Sequence, residues 1–391
     1  MSAPSRMSTA PDVEQAVAER YSAGAQAVEA ALCCPVDYDP RWLQVIPQEV
    51  LDRDYGCGDP SRHLREGETV LDLGSGGGKV AFIAAQVVGT SGRVIGVDIN
   101  DEMMALATSA APKVAEAVGF ANVEFRKGRI QDLRLDVVAT EQWLAAQPVT
   151  DLASLQAFEA ETARQRRESP LVPDASVDAV VSNCVLNLVA TDLKGALFAE
   201  IFRVLRRGGR AIISDIVSDT EVPAHLRADP ELWSGCLSGA FQEEAFLHAF
   251  EDAGFHGVTL DKRDSAAWQV VDGIEFRSVT VVAYKGKQGP CFDHDQAVVF
   301  KGPWKAVLDD DAHVYERGVP TAVCAKTFQL LRSAPYSGQF ELLEPVEPVD
   351  PETAPVFACA PPLSLAGGPS AAVRRPLAGR TTAISFDDAC C

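Results

Sequence analysis

The strongest constraint on the fold of this 391-residue chain is a glycine-rich loop between an apolar run and a helical run. Residues 70–78 read VLDLGSGGG, and the following apolar side chains share one helical face: Val80, Ile83, Ala84, Val87 and Val88. Glycine at positions 74, 76 and 78 lets the backbone turn tightly and approach a ligand closely. A strand, a glycine loop and a helix in this order predict a nucleotide-type cofactor beyond the carboxyl end of the strand.

Apolar strands alternate with amphipathic helices over residues 67–286. The strands are predicted at 69–73, 93–99, 123–130, 177–184 and 211–217, with two more near 257–260 and 276–284. Gly208-Gly209 is expected to end the helix before the fifth strand. Residues 133–173 interrupt the alternation, and the centre of this stretch is expected to form an inserted helix over the sheet. A later helix is expected at 243–253. The alternation predicts an α/β fold, with a mostly parallel sheet and helices on both faces.

The alternation of strands and helices stops on either side of this region. Residues 1–66 are predicted to be an N-terminal helical and loop segment that contains Cys33, Cys34 and Cys57. Residues 287–345 have short strand-like runs between Gly-Pro and Asp-rich turns, which predicts a small β-rich C-terminal domain. Residues 346–391 are rich in proline and lack periodicity, so we expect a mostly disordered tail.

The charge of the chain excludes two classes of partner. Its net charge is -20, and a field of that sign repels both a nucleic acid backbone and an anionic membrane surface. Neither a secretory leader nor an apolar run of membrane-spanning length is visible in the sequence. We therefore expect a cytoplasmic protein, in a compartment where thiols stay reduced.

The spacing of the glycine loop distinguishes between two cofactor classes. A dehydrogenase loop has the pattern G-x-G-x-x-G, whereas this loop has G-x-G-x-G with Asp72 before it. Asp98 is predicted to end the second strand, where it can accept hydrogen bonds from ribose hydroxyls. Ile130 is expected to pack on an adenine ring, with Asp132 receiving the adenine amino group.

The loop resembles the first motif of Rossmann-like S-adenosylmethionine methyltransferases. In that class the acidic residue holds the methionine end of the cofactor, which implies this role for Asp72. The expected cofactor-binding residues are Tyr55, Asp72, Gly74, Ser75, Gly76, Gly78, Asp98, Ile99, Ile130, Gln131 and Asn183.

Three cysteines lie where chemistry is expected. Cys184 is predicted to end the fourth strand, Cys236 follows the fifth strand, and Cys57 is flanked by two glycines. Three thiolates that converge on one point suit a soft, three-coordinate, pyramidal centre. An oxygen or nitrogen acceptor would instead need a carboxylate, His or Lys base, and the apolar segment 182–189 offers none.

Three motifs together resemble the arsenite methyltransferase family: YGCG at 55–58, NCVLNL at 183–188 and WSGCLSGA at 233–240. The resemblance covers residues 20–285 and includes the insertion before the fourth strand. It implies a class I methyltransferase fold and S-adenosylmethionine as the methyl donor. It also implies that Cys57, Cys184 and Cys236 are the catalytic residues and bind trivalent arsenic as substrate.

The resemblance implies a redox cycle and partners as well. An N-terminal cysteine, either Cys33 or Cys34, is expected to pair with Cys57 in a disulfide cycle. The expected substrate is arsenite or its thiol complexes, and glutathione or thioredoxin is the expected reductant. No nucleic acid and no membrane is expected as a partner.

Other interpretations of the same residues stay open. The methyl acceptor could be a small organic molecule, or the protein could bind metalloids without turnover. Any single cysteine could be an ordinary buried apolar side chain. In the C-terminal part, Cys291, His294, His313 and Cys324 could form a zinc site, although their spacing is irregular. Cys390-Cys391 could capture soft metalloids.

Overall fold

A computed structural model describes residues 13–29 and 36–359, which divide into two compact units, Met1–Lys285 and Gly286–Cys391. Cys33, Cys34, Cys390 and Cys391 lie outside the described residues, so the roles predicted for them stay predictions. Within the described part of the chain, no helix is both long and apolar enough to cross a membrane.

The first unit is built on one central sheet. Its strands are β1 Thr69–Leu73, β2 Arg93–Asp98, β3 Val123–Lys127, β4 Val177–Asn183, β5 Leu205–Ser218, β6 Phe241–Gln242, β7 His256–Arg263, β8 Gln269–Val271 and β9 Ile274–Tyr284. They lie in the order β3-β2-β1-β4-β5-β9-β7, with β6 beside β5 and β8 beside β9. The pairs among β1 to β5 are parallel, whereas β9 is antiparallel to β5 and β7. The predicted α/β fold is confirmed.

The strand order places two functional segments side by side. After β1 the chain moves outward to β2 and β3, then returns to add β4 on the other side of β1. In such sheets a ligand crevice forms beyond the carboxyl ends of the strands where the order reverses. The glycine loop follows β1 and Cys184 follows β4, so both lie at this reversal.

Helices cover both faces of the sheet. Their bounds are α1 Val13–Gln26, α2 Pro40–Leu43, α3 Gln48–Asp52, α4 Lys79–Val88, α5 Asp101–Val118, α6 Val137–Ala146, α7 Leu152–Glu168, α8 Lys194–Val204, α9 Ala224–Arg227, α10 Pro230–Ser234, α11 Glu243–Asp252 and α12 Ala325–Arg332, the last in the second unit. One face of α4 packs on β1 and β4 through Val80, Ala84 and Val88. The opposite face of the sheet is covered by α8 and α11, and burial of each large apolar side chain there contributes about 1.5–3 kcal/mol.

The segment between β3 and β4 contains two helices, so the prediction of one inserted helix within 133–173 was wrong. The first helix, α6, ends at Ala146, and Pro148 follows, which cannot continue a helix. The second, α7, begins after Asp151, whose side chain accepts a hydrogen bond from the Ser154 backbone N–H in a capping box. Pro148, which cannot continue a helix, and the N-cap residue Asp151 therefore divide the segment into two helices.

Two other predicted boundaries differ from the structure. Helix α8 ends at Val204, before Gly208-Gly209, and those glycines lie within the long strand β5. Strand β4 ends at Asn183, and Cys184 then turns into the left-handed region with φ 63°. Cys184 therefore sits just past the strand, where its side chain no longer follows the strand's alternation.

The second unit is a small β-rich body. Strands β10 Gln296–Phe300, β13 Pro320–Val323 and β14 Phe340–Leu343 form an antiparallel sheet in the order β13-β10-β14. Strands β11 Ala306–Leu308 and β12 Val314–Glu316 form a separate antiparallel pair. Its core contains Val298, Phe300, Tyr315, Val323, Phe328, Leu331 and Phe340.

Candidate functional site

The glycine loop after β1 adopts backbone conformations that only glycine tolerates well. Gly74, Gly76 and Gly78 have φ of 67°, 50° and 92°. The N–H groups of Gly74 and Ser75 both donate to the Val97 oxygen at the end of β2. A Cβ built on Gly74 would lie 2.3 Å from Val185 Cγ1, so the loop directly abuts the residue that follows Cys184.

Two carboxylates stand at the carboxyl ends of β1 and β2. Asp72 is 2% exposed, and burial, followed by the charges of Asp54 and Asp98, raises its pKa to about 8. Asp98 accepts hydrogen bonds from the N–H groups of Gly76 and Asn100, at 2.8 and 2.9 Å. Burial raises the pKa of Asp98 as well, and these backbone hydrogen bonds oppose the rise. The hydrogen bond from Gly76 N–H thus holds the glycine loop against Asp98 at the carboxyl end of β2.

The residues around the loop fit a cofactor with polar ends. Among the described residues, Asp72 Oδ2 and Ser75 Oγ are buried without hydrogen-bond partners, and buried polar atoms of this kind normally have one. A Cβ on Gly76 would have Met103 Sδ as its nearest described neighbour, at 4.0 Å. These unsatisfied atoms around a bare backbone suit the amino acid and ribose groups of S-adenosylmethionine.

The residues predicted for the adenine end have mixed surroundings. Ile130 is buried, whereas Ile99 is 45% exposed and Gln131 is partly buried. Asp132 Oδ2 accepts two hydrogen bonds from the Arg166 guanidinium on α7, at 3.0 and 2.9 Å. This leaves Oδ1 as the oxygen of Asp132 for the predicted adenine contact.

Cys57, Cys184 and Cys236 pack into one buried cluster. They are 2%, 5% and 4% exposed, and they share this cluster with apolar side chains such as Ile216 and Phe276. Cys57 lies in the loop before β1, Cys184 follows β4, and Cys236 follows α10. The fold therefore brings together the three thiols that the sequence had singled out.

Asn183 fixes the Cys57 loop. Its Oδ1 accepts hydrogen bonds from the N–H groups of Cys57 and Gly58, at 2.8 and 3.0 Å. Its Nδ2 donates to the Gly58 oxygen and to the Tyr38 hydroxyl, at 2.7 and 2.9 Å. These contacts use both acceptor sites and both N–H groups of the amide, so the side chain has no further hydrogen-bonding capacity for a cofactor. The structure gives Asn183 a positioning role for the loop.

The segment after Cys184 is fixed by a second buried polar group. Asp215 on β5 accepts hydrogen bonds from Leu186 N and Asn187 Nδ2, at 2.9 and 2.8 Å. Asn187 Nδ2 also donates to the Cys236 oxygen, at 3.3 Å, which links the two thiol segments. Burial raises the pKa of Asp215 to about 6, while nearby Lys194, whose own pKa burial lowers to about 8, opposes that rise.

The three sulfurs are close but are not gathered at ligand spacing. Within the described residues, the sulfurs of Cys57, Cys184 and Cys236 do not all lie within 4.8 Å of one another, whereas those of three cysteines in the second unit do. The Cys236 thiol instead donates to the Cys184 oxygen at 3.2 Å. Coordination of one atom by all three sulfurs therefore requires the Cys236 thiol to release this hydrogen bond and the three sulfurs to move closer together.

Helix α1 covers the thiol cluster, a feature that sequence reasoning missed. The Tyr21 hydroxyl lies 3.7 Å from Cys236 Sγ, and Arg20 donates to the Glu231 oxygen and to Ser234 Oγ. Burial raises the Tyr21 pKa strongly, and the nearby Cys236 and Cys184 sulfurs add to the rise. No local pattern marks Tyr21. Asp215, by contrast, could have been found as a charged residue inside an apolar strand.

Tyr55, which was expected at the cofactor, holds α1 in place. Its hydroxyl donates to the Gly24 oxygen at 2.9 Å and accepts from the Glu29 N–H at 3.1 Å. Its ring meets the Tyr21 ring edge to face, with centroids 6.0 Å apart. The Tyr55 ring is thus part of the support for the helix that covers the thiols.

Comparisons with known proteins give the chain's relatives. A family model described as "Methyltransferase domain" matches residues 64–166 and 156–254, and one described as a domain of unknown function matches residues 287–366. An arsenite methyltransferase of Aquipseudomonas alcaligenes is 33% identical over 81% of this chain and 86% of its own length. An arsenite methyltransferase of Mus musculus is 28% identical over 78% of this chain and 74% of its own length.

A solved structure is similar to most of the chain. It is an arsenic(III) S-adenosylmethionine methyltransferase from Chlamydomonas reinhardtii, with 26% sequence identity and a TM-score of 0.53. The match covers 83% of this chain and 99% of that protein.

Proposed function

This chain belongs to the arsenite methyltransferase family, and we propose that it transfers a methyl group from S-adenosylmethionine to trivalent arsenic held by Cys57, Cys184 and Cys236. The protein is an S-adenosylmethionine-dependent methyltransferase. One observation carries the assignment of the site. Three thiols from distant parts of the chain share one buried cluster, and the residue after Cys184 touches the glycine loop.

Substrate capture is a ligand exchange. Arsenite, As(OH)₃, loses its three hydroxide groups, and three thiols supply three protons, so three As–S bonds form and three waters leave. No electrons are transferred in this step. Trivalent arsenic keeps a lone pair and a pyramidal geometry, which three soft sulfur ligands from separate segments can satisfy.

Methyl transfer follows from the position of the arsenic. S-adenosylmethionine supplies an electrophilic methyl group on a sulfonium. The arsenic lone pair forms the new As–C bond, and the electrons of the breaking C–S bond stay on the departing sulfur. Because positive charge on that sulfur disappears, the dry cluster around Cys184 assists the step. Holding the two reactants in line can account for several kcal/mol of the barrier.

The chain's thiols balance the electrons. Forming the As–C bond formally oxidises arsenic by two electrons, and joining two cysteinate sulfurs as a disulfide returns them. We propose that glutathione or thioredoxin then reduces the enzyme disulfide, and that Cys33 or Cys34 exchanges with Cys57 in this cycle. A reducing compartment such as the cytoplasm suits this chemistry.

The activity can be tested directly. Purified full-length protein is incubated with arsenite, glutathione and S-adenosylmethionine, and methylated arsenicals are separated and quantified. We expect product from the native chain and none from Cys184→Ser or Cys236→Ser, with S-adenosylmethionine binding retained in both. Native protein that binds the cofactor but yields no methylated arsenic would refute the proposal. Equal turnover by the two serine variants would refute the assignment of the site.

A further inference from the structure

Three cysteines meet in the second unit, which contains none of the residues assigned to the methyl transfer. The sulfurs of Cys291, Cys324 and Cys359 all lie within 4.8 Å of one another. This is the spacing of ligand atoms around a single ion, and the thiols of the first unit do not reach it. The zinc site left open from the sequence shares Cys291 and Cys324 with this group, but its two histidines do not belong to the group. His313 Nδ1 instead lies 2.9 Å from Asp309 Oδ2, and the third sulfur of the group is that of Cys359.

Backbone hydrogen bonds tie the three cysteine segments to one another. Phe357 N donates to the Cys291 oxygen at 2.8 Å, and Phe292 pairs with Val356 in an antiparallel bridge. Ala325 N donates to the Phe292 oxygen at 2.9 Å, which brings in the residue after Cys324. The cluster is therefore preorganised by main-chain contacts and does not depend on a mobile side chain.

Cys324 is held in place by the start of α12. It caps the N-terminus of that helix, and its sulfur accepts a hydrogen bond from the Thr327 N–H at 3.4 Å. Cys324 is buried, whereas Cys291 is partly buried and Cys359 is exposed, so an ion can enter from the Cys359 side.

We propose that Cys291, Cys324 and Cys359 form a second three-thiolate site, which binds one atom of trivalent arsenic. The close spacing of the three sulfurs is observed independently of the proposed function, whereas the choice of arsenic as the bound atom rests on that function. Zinc normally takes four ligands, whereas trivalent arsenic is satisfied by three thiolates. Loading follows the exchange already described: three As–O bonds break, three As–S bonds form and three waters leave, without redox change.

The number of sulfurs also selects the arsenical. Arsenite has three exchangeable ligands and can engage all three thiols. A monomethylated trivalent arsenical can engage two, and a dimethylated one can engage one. The site therefore holds unmethylated arsenic in preference to the products of methyl transfer.

The test counts arsenic atoms on the full chain. Cys33, Cys34, Cys390 and Cys391 are first replaced by serine, which gives a background variant that retains both three-cysteine groups. Arsenite is added with a phosphine reductant, and bound arsenic per chain is measured after equilibrium dialysis. We expect two atoms on the background variant, and one after further replacement Cys359→Ser or Cys184→Ser/Cys236→Ser. Combining these replacements should leave none.

The outcomes separate this site from the methyl-transfer site. Suppose that one bound arsenic atom remains in the Cys184→Ser/Cys236→Ser variant and is lost when Cys359→Ser is added. This result supports the second site, even if the native chain shows no methyl transfer. Unchanged arsenic binding after Cys359→Ser overturns it. The proposal is also overturned if the protein is purified with bound zinc that arsenite cannot displace. A disulfide among these three cysteines that persists under reductant overturns it as well. Ser333→Ala, at an exposed position of the second unit, serves as the control and should leave the number of bound arsenic atoms unchanged.

Discussion

The Cys236 thiol donates a hydrogen bond to the backbone oxygen of Cys184, 3.2 Å away, and both residues hold left-handed backbone conformations. Their φ angles are 62° and 63°, which side chains with a Cβ rarely adopt. Strain of this kind concentrates at functional sites, where the surrounding structure holds it in place. Here Asn187 and Asp215 provide that support, because their hydrogen bonds fix the chain just after Cys184 and connect it to the backbone of Cys236.

The strain predicts an unusual order of stability among Cys236 variants. We expect Cys236→Gly to be more stable than Cys236→Ala by about 1 kcal/mol, because glycine adopts positive φ without penalty. Both variants should lose arsenite binding at the thiols of the first unit. Urea unfolding of the arsenic-free proteins gives the comparison. A glycine variant that is less stable than the alanine variant would mean that the left-handed conformation is not strained.

The contact between Gly74 and Val185 predicts that the glycine loop cannot accept a methyl group. In Gly74→Ala the new Cβ would lie 2.3 Å from Val185 Cγ1, in addition to the cost of φ 67°. We expect loss of S-adenosylmethionine binding, measured by calorimetry, and a stability loss of about 1–3 kcal/mol from overpacking beyond the backbone strain.

Gly119→Ala is the matched control for the loop variant. Gly119 has φ 86°, and a Cβ there would meet nothing within 4 Å, so this variant carries the backbone strain without the clash. It should bind S-adenosylmethionine as the native chain does. Equal losses of cofactor binding in both variants would contradict a specific contact at Gly74.

The amide of Asn183 predicts a selective effect on arsenic binding. Asn183→Asp keeps the acceptor for Cys57 N–H and Gly58 N–H but loses the donor to the Gly58 oxygen. In a Cys359→Ser background, which leaves the first unit's thiols as the arsenic site, we expect arsenite affinity to fall by about 10–100-fold, the usual effect of losing a residue that orients a ligand. Arsenite titration followed by intrinsic fluorescence measures it.

Asn122→Asp provides the comparison for Asn183. Asn122 also donates to two backbone oxygens, those of Ala85 and Gly89, but it precedes β3, at the edge of the sheet opposite the carboxyl end of β4 that Cys184 follows. It should lose stability without losing arsenite affinity. If the two variants weaken arsenite binding equally, the effect is a general loss of stability and Asn183 has no positioning role.

The carboxyl of Asp72 predicts a pH dependence of stability. Burial, with the charges of Asp54 and Asp98, raises its pKa from 3.8 to about 8 in the folded protein. The folded state then binds the proton more tightly than the unfolded state. This contribution to stability is complete below the unfolded pKa and is lost as the pH rises through the folded pKa. Cofactor-free native protein should therefore lose stability relative to Asp72→Asn between about pH 4 and about pH 8.

Urea unfolding at intervals across that range measures the effect of Asp72. Exposed Asp192→Asn, unfolded in parallel, is the control for removing one carboxylate from the chain. A constant difference between native protein and Asp72→Asn across the range would show that the Asp72 carboxyl is not held protonated.

The sequence alone determined the α/β fold, because alternating periodicities and a glycine loop after a strand leave few other arrangements. It also identified Cys57, Cys184 and Cys236, because their motifs and soft-ligand chemistry can be seen locally. It did not divide the insertion correctly, although Pro148 and Asp151 carried that signal.

Tertiary structure alone decided which groups meet. The Tyr21 hydroxyl contacts the Cys236 sulfur, and the side-chain amide of Asn183 forms hydrogen bonds with the Cys57 loop. The sulfur of Cys359 lies close to those of Cys291 and Cys324. These contacts join residues far apart in sequence, and no local pattern encodes the distance between two segments until the sheet and the small β unit have folded. The physical reason is that periodicity reports which face of an element is buried, whereas a site depends on which elements that burial brings together.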